Sequence, residues 1–332
     1  MTINNPKKIV ISRTDSIGDV CLTLPMAGIL KEKFPYCQII FLGNTYTKPI
    51  INCCSSVDEV WEWAELLEMT DKERLSWLKK QQVDAFIHVF PRREIARLAQ
   101  QSKIKYRIGT THRLYHLLTT NCKVNFSRKN SNWHEAQLNI KLLKHFGINK
   151  KYTLKELTTY SHFNNIPQLK DEFKALLHPT KKNIIFHPKS QGSALEWGVN
   201  NFINLSKSLD PNKYQIFFTG TEKESTYFRD QLPKQPNIID LSGKMDLNNL
   251  ISFIQKADLL LACSTGPLHI AGLCNIKTIG LFTPKKPLHY GRWQPLGNKV
   301  KIIEEKIISE RTQPLNINLR VIEQEVEKYL FQ

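Results

Sequence analysis

No apolar run in the 332-residue sequence approaches the roughly 18 residues that a transmembrane helix needs. No CxxC pair occurs either: the seven cysteines stand at 21, 37, 53, 54, 122, 263 and 274, an odd count at irregular spacing. That argues against a disulfide framework and a structural zinc site, and leaves the thiols as small core residues of a reducing compartment. No GxGxxG stretch opens a helix, so the dinucleotide fingerprint is missing. Asp-x-Asp, one common means of holding a divalent ion on a diphosphate, is absent too. Basic residues are scattered without a run of five or six, which argues against a disordered nucleic-acid arm. No signal peptide is visible before the strand-like Ile9-Val10-Ile11, and a cytoplasmic location is expected.

What is present describes a folded chain. Hydrophobic residues make up 41% and charged residues 23%, a balance that excludes disorder. The length suggests two domains of about 150 residues each. Lysine and arginine number 47 against 30 acids, a net charge of +17. Such a balance points to an anionic partner: phosphorylated substrate, membrane surface or nucleic acid. Nucleic acid ranks last, because the basic residues are not interleaved with clustered aromatics. A Lys/Asn/Ile-rich compositional bias is the bland alternative.

Short apolar runs alternate with helical patterns, the signature of parallel βαβ units. Strands are predicted at 8–12, 38–43, 85–90, 183–187, 214–219, 259–262 and 277–282. Helices are predicted over 20–34, 66–82, 199–209, 247–257, 269–274 and 315–330. The polar stretch 152–180, with some local helix over 169–177, reads as the connection between two α/β halves. Two Rossmann-like domains facing each other would leave a ligand cleft between them.

Three turns carry chemistry. Ser16-Ile-Gly-Asp19 follows the first strand and opens a helix. Gly18 permits close approach of a ligand, and Asp19 is either a helix cap or a general base, with position alone favouring the cap. Cys263-Ser-Thr-Gly-Pro-Leu-His269 lies between a strand and an apolar helix. Thr265 can cap, Pro267 suits the first turn, and the N–H groups of Thr265 and Gly266 would face an incoming anion, a plausible diphosphate site. His269 reads equally well as a structural histidine or a phosphate ligand. The loop His187-Pro-Lys-Ser-Gln-Gly-Ser-Ala-Leu-Glu-Trp197 brings Lys189 and Ser190 to where they could close on phosphates, unless it is an ordinary βα loop with Trp197 in the core.

Taken together these stretches resemble glycosyltransferase family 9, the lipopolysaccharide core heptosyltransferases, over nearly the whole chain. The resemblance rests on Ser16-Ile-Gly-Asp-Val with Thr23-Leu-Pro25, on Arg107-Ile-Gly109, and on His134-Glu135. It continues through the 187–197 loop, Ser242-Gly243, the block Ser264-Thr-Gly-Pro-Leu-His-Ile-Ala271 and Gly280-Leu-Phe-Thr-Pro284.

It implies an α/β GT-B fold, with an acceptor domain over 1–160 and a nucleotide-sugar domain over 181–314. The helix within 315–332 is implied to pack back on the first domain. It implies an inverting transfer of heptose from ADP-heptose to the lipid A–Kdo inner core, with another nucleotide sugar or a non-catalytic binding homologue as alternatives. Asp19 becomes the catalytic base. Lys189, Ser190, Glu222, Met245, Ser264, Thr265, Gly266, Pro267 and His269 become donor contacts, and Gly18, Arg92, Arg93, Arg107 and Arg113 acceptor contacts. Lys123 and Arg128 are further basic residues of the acceptor half. No metal or other cofactor is expected. The acceptor would be an anionic lipopolysaccharide precursor, met peripherally at the inner face of the cytoplasmic membrane. Relatives often carry an acid at Ser264 and a basic residue at Leu195. The second departure makes Lys189 the expected substitute clamp on the donor diphosphate, and it predicts that Leu195→Lys strengthens donor binding.

Overall fold

The computed structural model describes residues 2–128, 131–306 and 314–331. The chain forms two compact units, 1–165 and 166–332. The first is built on a six-stranded sheet in the order β3-β2-β1-β4-β5-β6. These strands are β1 Lys8–Ser12, β2 Gln38–Gly43, β3 Glu59–Glu62, β4 Ala85–His88, β5 Tyr106–Thr110 and β6 Cys122–Val124. The second sheet runs β12-β11-β10-β7-β8-β9, from β7 Lys182–His187, β8 Tyr214–Phe218, β9 Ile238–Asp240, β10 Leu259–Cys263, β11 Lys277–Phe282 and β12 Val300–Glu304. Neighbouring strands pair in parallel throughout both sheets. Each unit therefore repeats the doubly wound Rossmann order, and the α/β, GT-B expectation holds. In each unit the strand order reverses once, beside β1 and β4 in the first and beside β7 and β10 in the second. Ligands of such sheets bind beyond the carboxyl ends of the strands at that reversal.

The central strands are buried on both faces, as parallel strands covered by helices must be. Every residue of β10 is buried, as is Ile9-Val10-Ile11 of β1. The single helix predicted over 20–34 is two, Ile17–Cys21 and Pro25–Lys33. Pro25 has no N–H to continue the first helix but suits the start of the next. The predicted helix over 66–82 is likewise divided, into Trp63–Glu68 and Asp71–Lys80, where Thr70 and Glu73 form a capping box.

The interdomain connection is shorter than predicted. Leu154–Tyr160 is a helix of the first unit, opened by a Thr153/Glu156 capping box. It lies so close to Pro25–Lys33 that a Cβ on Gly28 would fall 2.1 Å from the Tyr160 carbonyl oxygen. The helix predicted over 169–177 shortens to Asp171–Lys174, with Phe173 buried in the second unit.

The implied return of the last helix to the first unit is corrected. Helix Leu319–Phe331 buries Ile322, Val326 and Leu330, one stripe at four-residue spacing, in the second unit's core with Tyr214, Leu259 and Ile279. Lys301 pairs with Glu325, and Lys277 donates to the Tyr329 carbonyl, fixing the helix to β11 and β12.

Candidate functional site

At the reversal of the first sheet, β1 runs into Arg13-Thr-Asp-Ser16 and the helix Ile17–Cys21. Gly18 and Asp19 lie in that helix's first turn. The Arg13 guanidinium is almost wholly buried, its side chain 4% exposed. It donates to Asp15 Oδ1 at 2.8 Å, to Asp19 Oδ1, and to Glu135 Oε1 and Asn139 Oδ1 at 3.2 Å each. Ser16 Oγ donates to Asp19 Oδ2 at 2.5 Å. Arg128 adds a second cation, donating to Glu135 at 2.7 Å and to Asn139 at 2.8 Å. Asn139 in turn donates to the Leu22 carbonyl and Thr23 Oγ1, both 3.1 Å away. Two guanidinium groups thus serve three carboxylates around one turn.

Asp19 is not a side-chain cap. Its carboxylate is held by Arg13 and Ser16 and remains 18% exposed, oriented yet reachable. Burial lowers the affinity of Arg13 for its proton, but Asp19, Asp15 and Glu135 more than reverse this, so it stays charged. Burial pushes Asp15 up to about 6, opposed by Arg13 and reinforced by Asp19.

The same edge carries Arg92, which donates to the Thr14 carbonyl at 3.2 Å, and exposed Arg93, both in the chain after β4. Arg113 is exposed in the chain after β5. Arg107 is a correction. It sits near the amino end of β5, and its guanidinium donates to the carbonyls of Ile104 and Thr119. It fastens β5 to the neighbouring turns instead of facing an acceptor. Gly109 owes its place to packing, since a Cβ there would lie 2.7 Å from His116 Nδ1.

In the second unit the predicted donor residues all follow strands at the carboxyl edge: Lys189 and Ser190 after β7, Glu222 after β8, Met245 after β9, and Ser264 to His269 after β10. Thr265 precedes the helix Gly266–Leu273, with Pro267 in its first turn and His269 buried. Thr265 Oγ1 is buried with no hydrogen-bond partner among the described residues. Ser193 Oγ donates to the Ser264 carbonyl at 3.5 Å, and Trp197 N donates to Cys263 Sγ at 3.2 Å, so the 187–197 loop lies against this turn. Glu222 pairs with Arg229 at 2.6 Å. It also presses on Gly243, whose φ of 73° glycine accepts readily.

Lys189 is not the free clamp that was expected. Its ammonium pairs with Glu196 at 2.6 Å and lies 4.4 Å from the centroid of the Tyr227 ring. Glu196 Oε1 also accepts from Ser190 N and Oγ, at 2.8 and 2.9 Å. Leu195 packs against the second unit's hydrophobic core. A lysine there would have to abandon that contact, so the predicted gain from Leu195→Lys loses its basis.

Sequence reasoning did not single out Arg13, Asp15 or Asn139. The i,i+4 spacing of Glu135 and Asn139, which puts both on one face of helix Glu135–Ile140, was the available signal. Among the described residues, no group of three or more His, Cys, Asp or Glu side chains is placed to hold a metal ion.

Comparison with known proteins agrees with this geometry. The family model for glycosyltransferase family 9 (heptosyltransferase) matches residues 75–316. A Haemophilus influenzae protein provisionally named a glycosyltransferase is 28% identical, covering 90% of this chain and 88% of its own. The crystal structure of a family 9 glycosyl transferase from Veillonella parvula superposes with a TM-score of 0.77 at 19% identity, covering 98% of this chain and 97% of that one. E. coli ADP-heptose lps heptosyltransferase II gives a TM-score of 0.74 at 17% identity, covering 98% and 99%.

Proposed function

The chain belongs to glycosyltransferase family 9, and from that membership we propose that it transfers a heptose from ADP-heptose to the inner core of a lipopolysaccharide precursor, with inversion at the anomeric carbon. The acceptor hydroxyl attacks that carbon, its proton passes to Asp19, and the carbon–oxygen bond to the diphosphate breaks to release ADP. The observation that carries this reading is the Asp19 carboxylate, oriented by Arg13 and Ser16 at the reversal of the first sheet and still open to solvent. Supporting the donor half, Thr265 Oγ1 and the helix N-terminus at Gly266 offer neutral donors and a positive dipole end to a diphosphate. No metal is needed in this scheme, because fixed dipoles stabilise the leaving group. The test is a panel of nucleotide sugars with a heptose-deficient lipopolysaccharide acceptor, scored by nucleoside diphosphate release with and without EDTA. ADP-heptose should be preferred and EDTA without effect. Preference for another donor, or activity restored only by magnesium or manganese, would overturn the corresponding half.

We further infer peripheral contact with an anionic membrane. No helix among the described residues is long and apolar enough to cross one. After β5, however, Leu114 is 85% and Leu118 80% exposed beside exposed Arg113. Apolar side chains next to a cation suit an anionic bilayer surface. Leu114→Ser/Leu118→Ser should reduce sedimentation with phosphatidylglycerol vesicles at least fivefold while leaving thermal stability unchanged. Undiminished sedimentation would refute this contact.

Asp15 sets a pH expectation. Below about pH 6 it takes up a proton, Arg13 stays charged, and the cluster has less negative charge with which to draw the acceptor's proton. kcat/KM should fall through that range as pH drops. Asp15→Asn should be slower at neutral pH but lack the inflection near 6. An inflection that survives the substitution would assign it elsewhere.

A further inference from the structure

Helix Glu135–Ile140 and the 3₁₀ turn that continues it have a second polar face. Residues two apart on a helix point about 200° away from each other. With Glu135 and Asn139 committed to the Arg13 cluster, Gln137 and Lys141 face the other way, into a pocket of about 280 Å3 in the first unit. Five lysines line it: 123, 141, 144, 150 and 151, with no acidic residue in the lining. Of these, only Lys150 has a carboxylate partner among the described residues, Glu156 at 2.5 Å. Two of the others gather over one ring, Lys141 Nζ at 3.8 Å and Lys151 Nζ at 4.9 Å from the Trp133 centroid. The indole face thus holds two like charges that would otherwise repel. Val124, Ile140 and Ile148 supply an apolar floor.

We propose that this pocket binds a phosphorylated saccharide unit. The concentrated positive charge, without internal acids to neutralise it, calls for an anion, and lysine ammonium groups are well suited to phosphate. The volume lies near the lower end of small-molecule pockets, more than a lone phosphate fills and enough for one sugar phosphate. The apolar floor matches the carbon face of a sugar ring. An anionic glycan acceptor would gain a second hold here. That consequence rests on the proposed function, whereas binding itself requires no transfer, so the two ideas fail separately.

The experiment is calorimetric titration of the full chain with glucose 6-phosphate, glucose and inorganic phosphate at fixed ionic strength. Glucose 6-phosphate should bind at least tenfold more tightly than either fragment. Lys141→Gln/Lys151→Gln, and independently Lys123→Gln/Lys144→Gln, should each weaken it at least tenfold. Lys72→Gln/Lys79→Gln on another helix, and Asp19→Asn, should leave it unchanged. A second arm uses phosphatidate vesicles, presenting the same phosphate chemistry on a lipid. Loss of vesicle binding in the pocket variants without any glucose 6-phosphate binding would overturn the saccharide assignment in favour of a lipid headgroup. Equal weakening by the control lysine pair, or no binding of either probe, would overturn the site.

Discussion

Asp19→Asn should lower kcat by about a hundred- to ten-thousand-fold, the usual worth of a positioned general base, while donor affinity stays within twofold. The substitution preserves shape, and the amide oxygen can still accept from Arg13, which holds Oδ1 in the native protein. What it removes is the ability to take a proton from the acceptor hydroxyl. The donor contacts proposed here lie on loops after β7, β8, β9 and β10 of the second unit, whereas the Asp19 carboxylate bonds to Arg13 and Ser16 in the first. The measurement is kcat at saturating substrates together with the donor Kd by titration. Normal turnover would make Asp19 an orienting group and place the base elsewhere. Lost turnover together with lost donor binding would instead indicate a structural fault.

Arg13→Met should destabilise the protein by about 3–5 kcal/mol at neutral pH, the typical cost of stripping the partner from buried charge. Arg13 touches Asp15, Asp19, Glu135 and Asn139 together. Methionine fills similar space but leaves carboxylates with low exposure to repel one another, with Arg128 still paired to Glu135. The penalty should shrink below about pH 6, where Asp15 is protonated and no longer needs a counter-charge. The sign follows from Arg13, which holds the raised pKa of Asp15 down to about 6: without it the charged form of Asp15 is disfavoured further, so the penalty grows as pH rises above 6. Adding Glu135→Gln should recover part of the loss by removing another orphaned charge. Urea unfolding at pH 5 and 7 reads all three effects. A cost under about 1 kcal/mol at pH 7 would mean that water, and not Arg13, solvates the carboxylates.

Both predictions concern a cluster that the sequence named only in part. Asp19 stood out because a strand, a glycine and an acid at a helix start form a recognisable local pattern. Arg13 and Asp15 flank it within six residues and drew no notice, since their meaning depends on Glu135 and Asn139 more than a hundred positions away. Arg107 shows the converse error. Its Arg-Ile-Gly context suggested an acceptor contact, yet register places it towards the amino end of β5 with its guanidinium on backbone carbonyls. Lys189 was rightly placed on its loop, but pairing with Glu196 in the same loop had no local signature.

By itself the sequence determined the alternation of strands and helices, the two-unit organisation, the family, and the turns that reach the carboxyl edges. These are local properties: a strand buried on both faces needs a continuous apolar run, as β10 has throughout and β1 has over Ile9-Val10-Ile11, and a ligand-binding turn needs small residues at set offsets. Only the tertiary structure brought in β3, β5, β6, β9 and β12, strands at or next to a sheet edge. Most of these are short or keep exposed positions, and such segments carry no continuous apolar run for a reader to find. Only the tertiary structure decided that the last helix packs on the second unit, because an apolar stripe such as Ile322, Val326 and Leu330 states that it must be covered and not by what. The charge network was decided there as well, since Coulomb attraction acts through space and not along the chain, and only the fold sets which guanidinium meets which carboxylate.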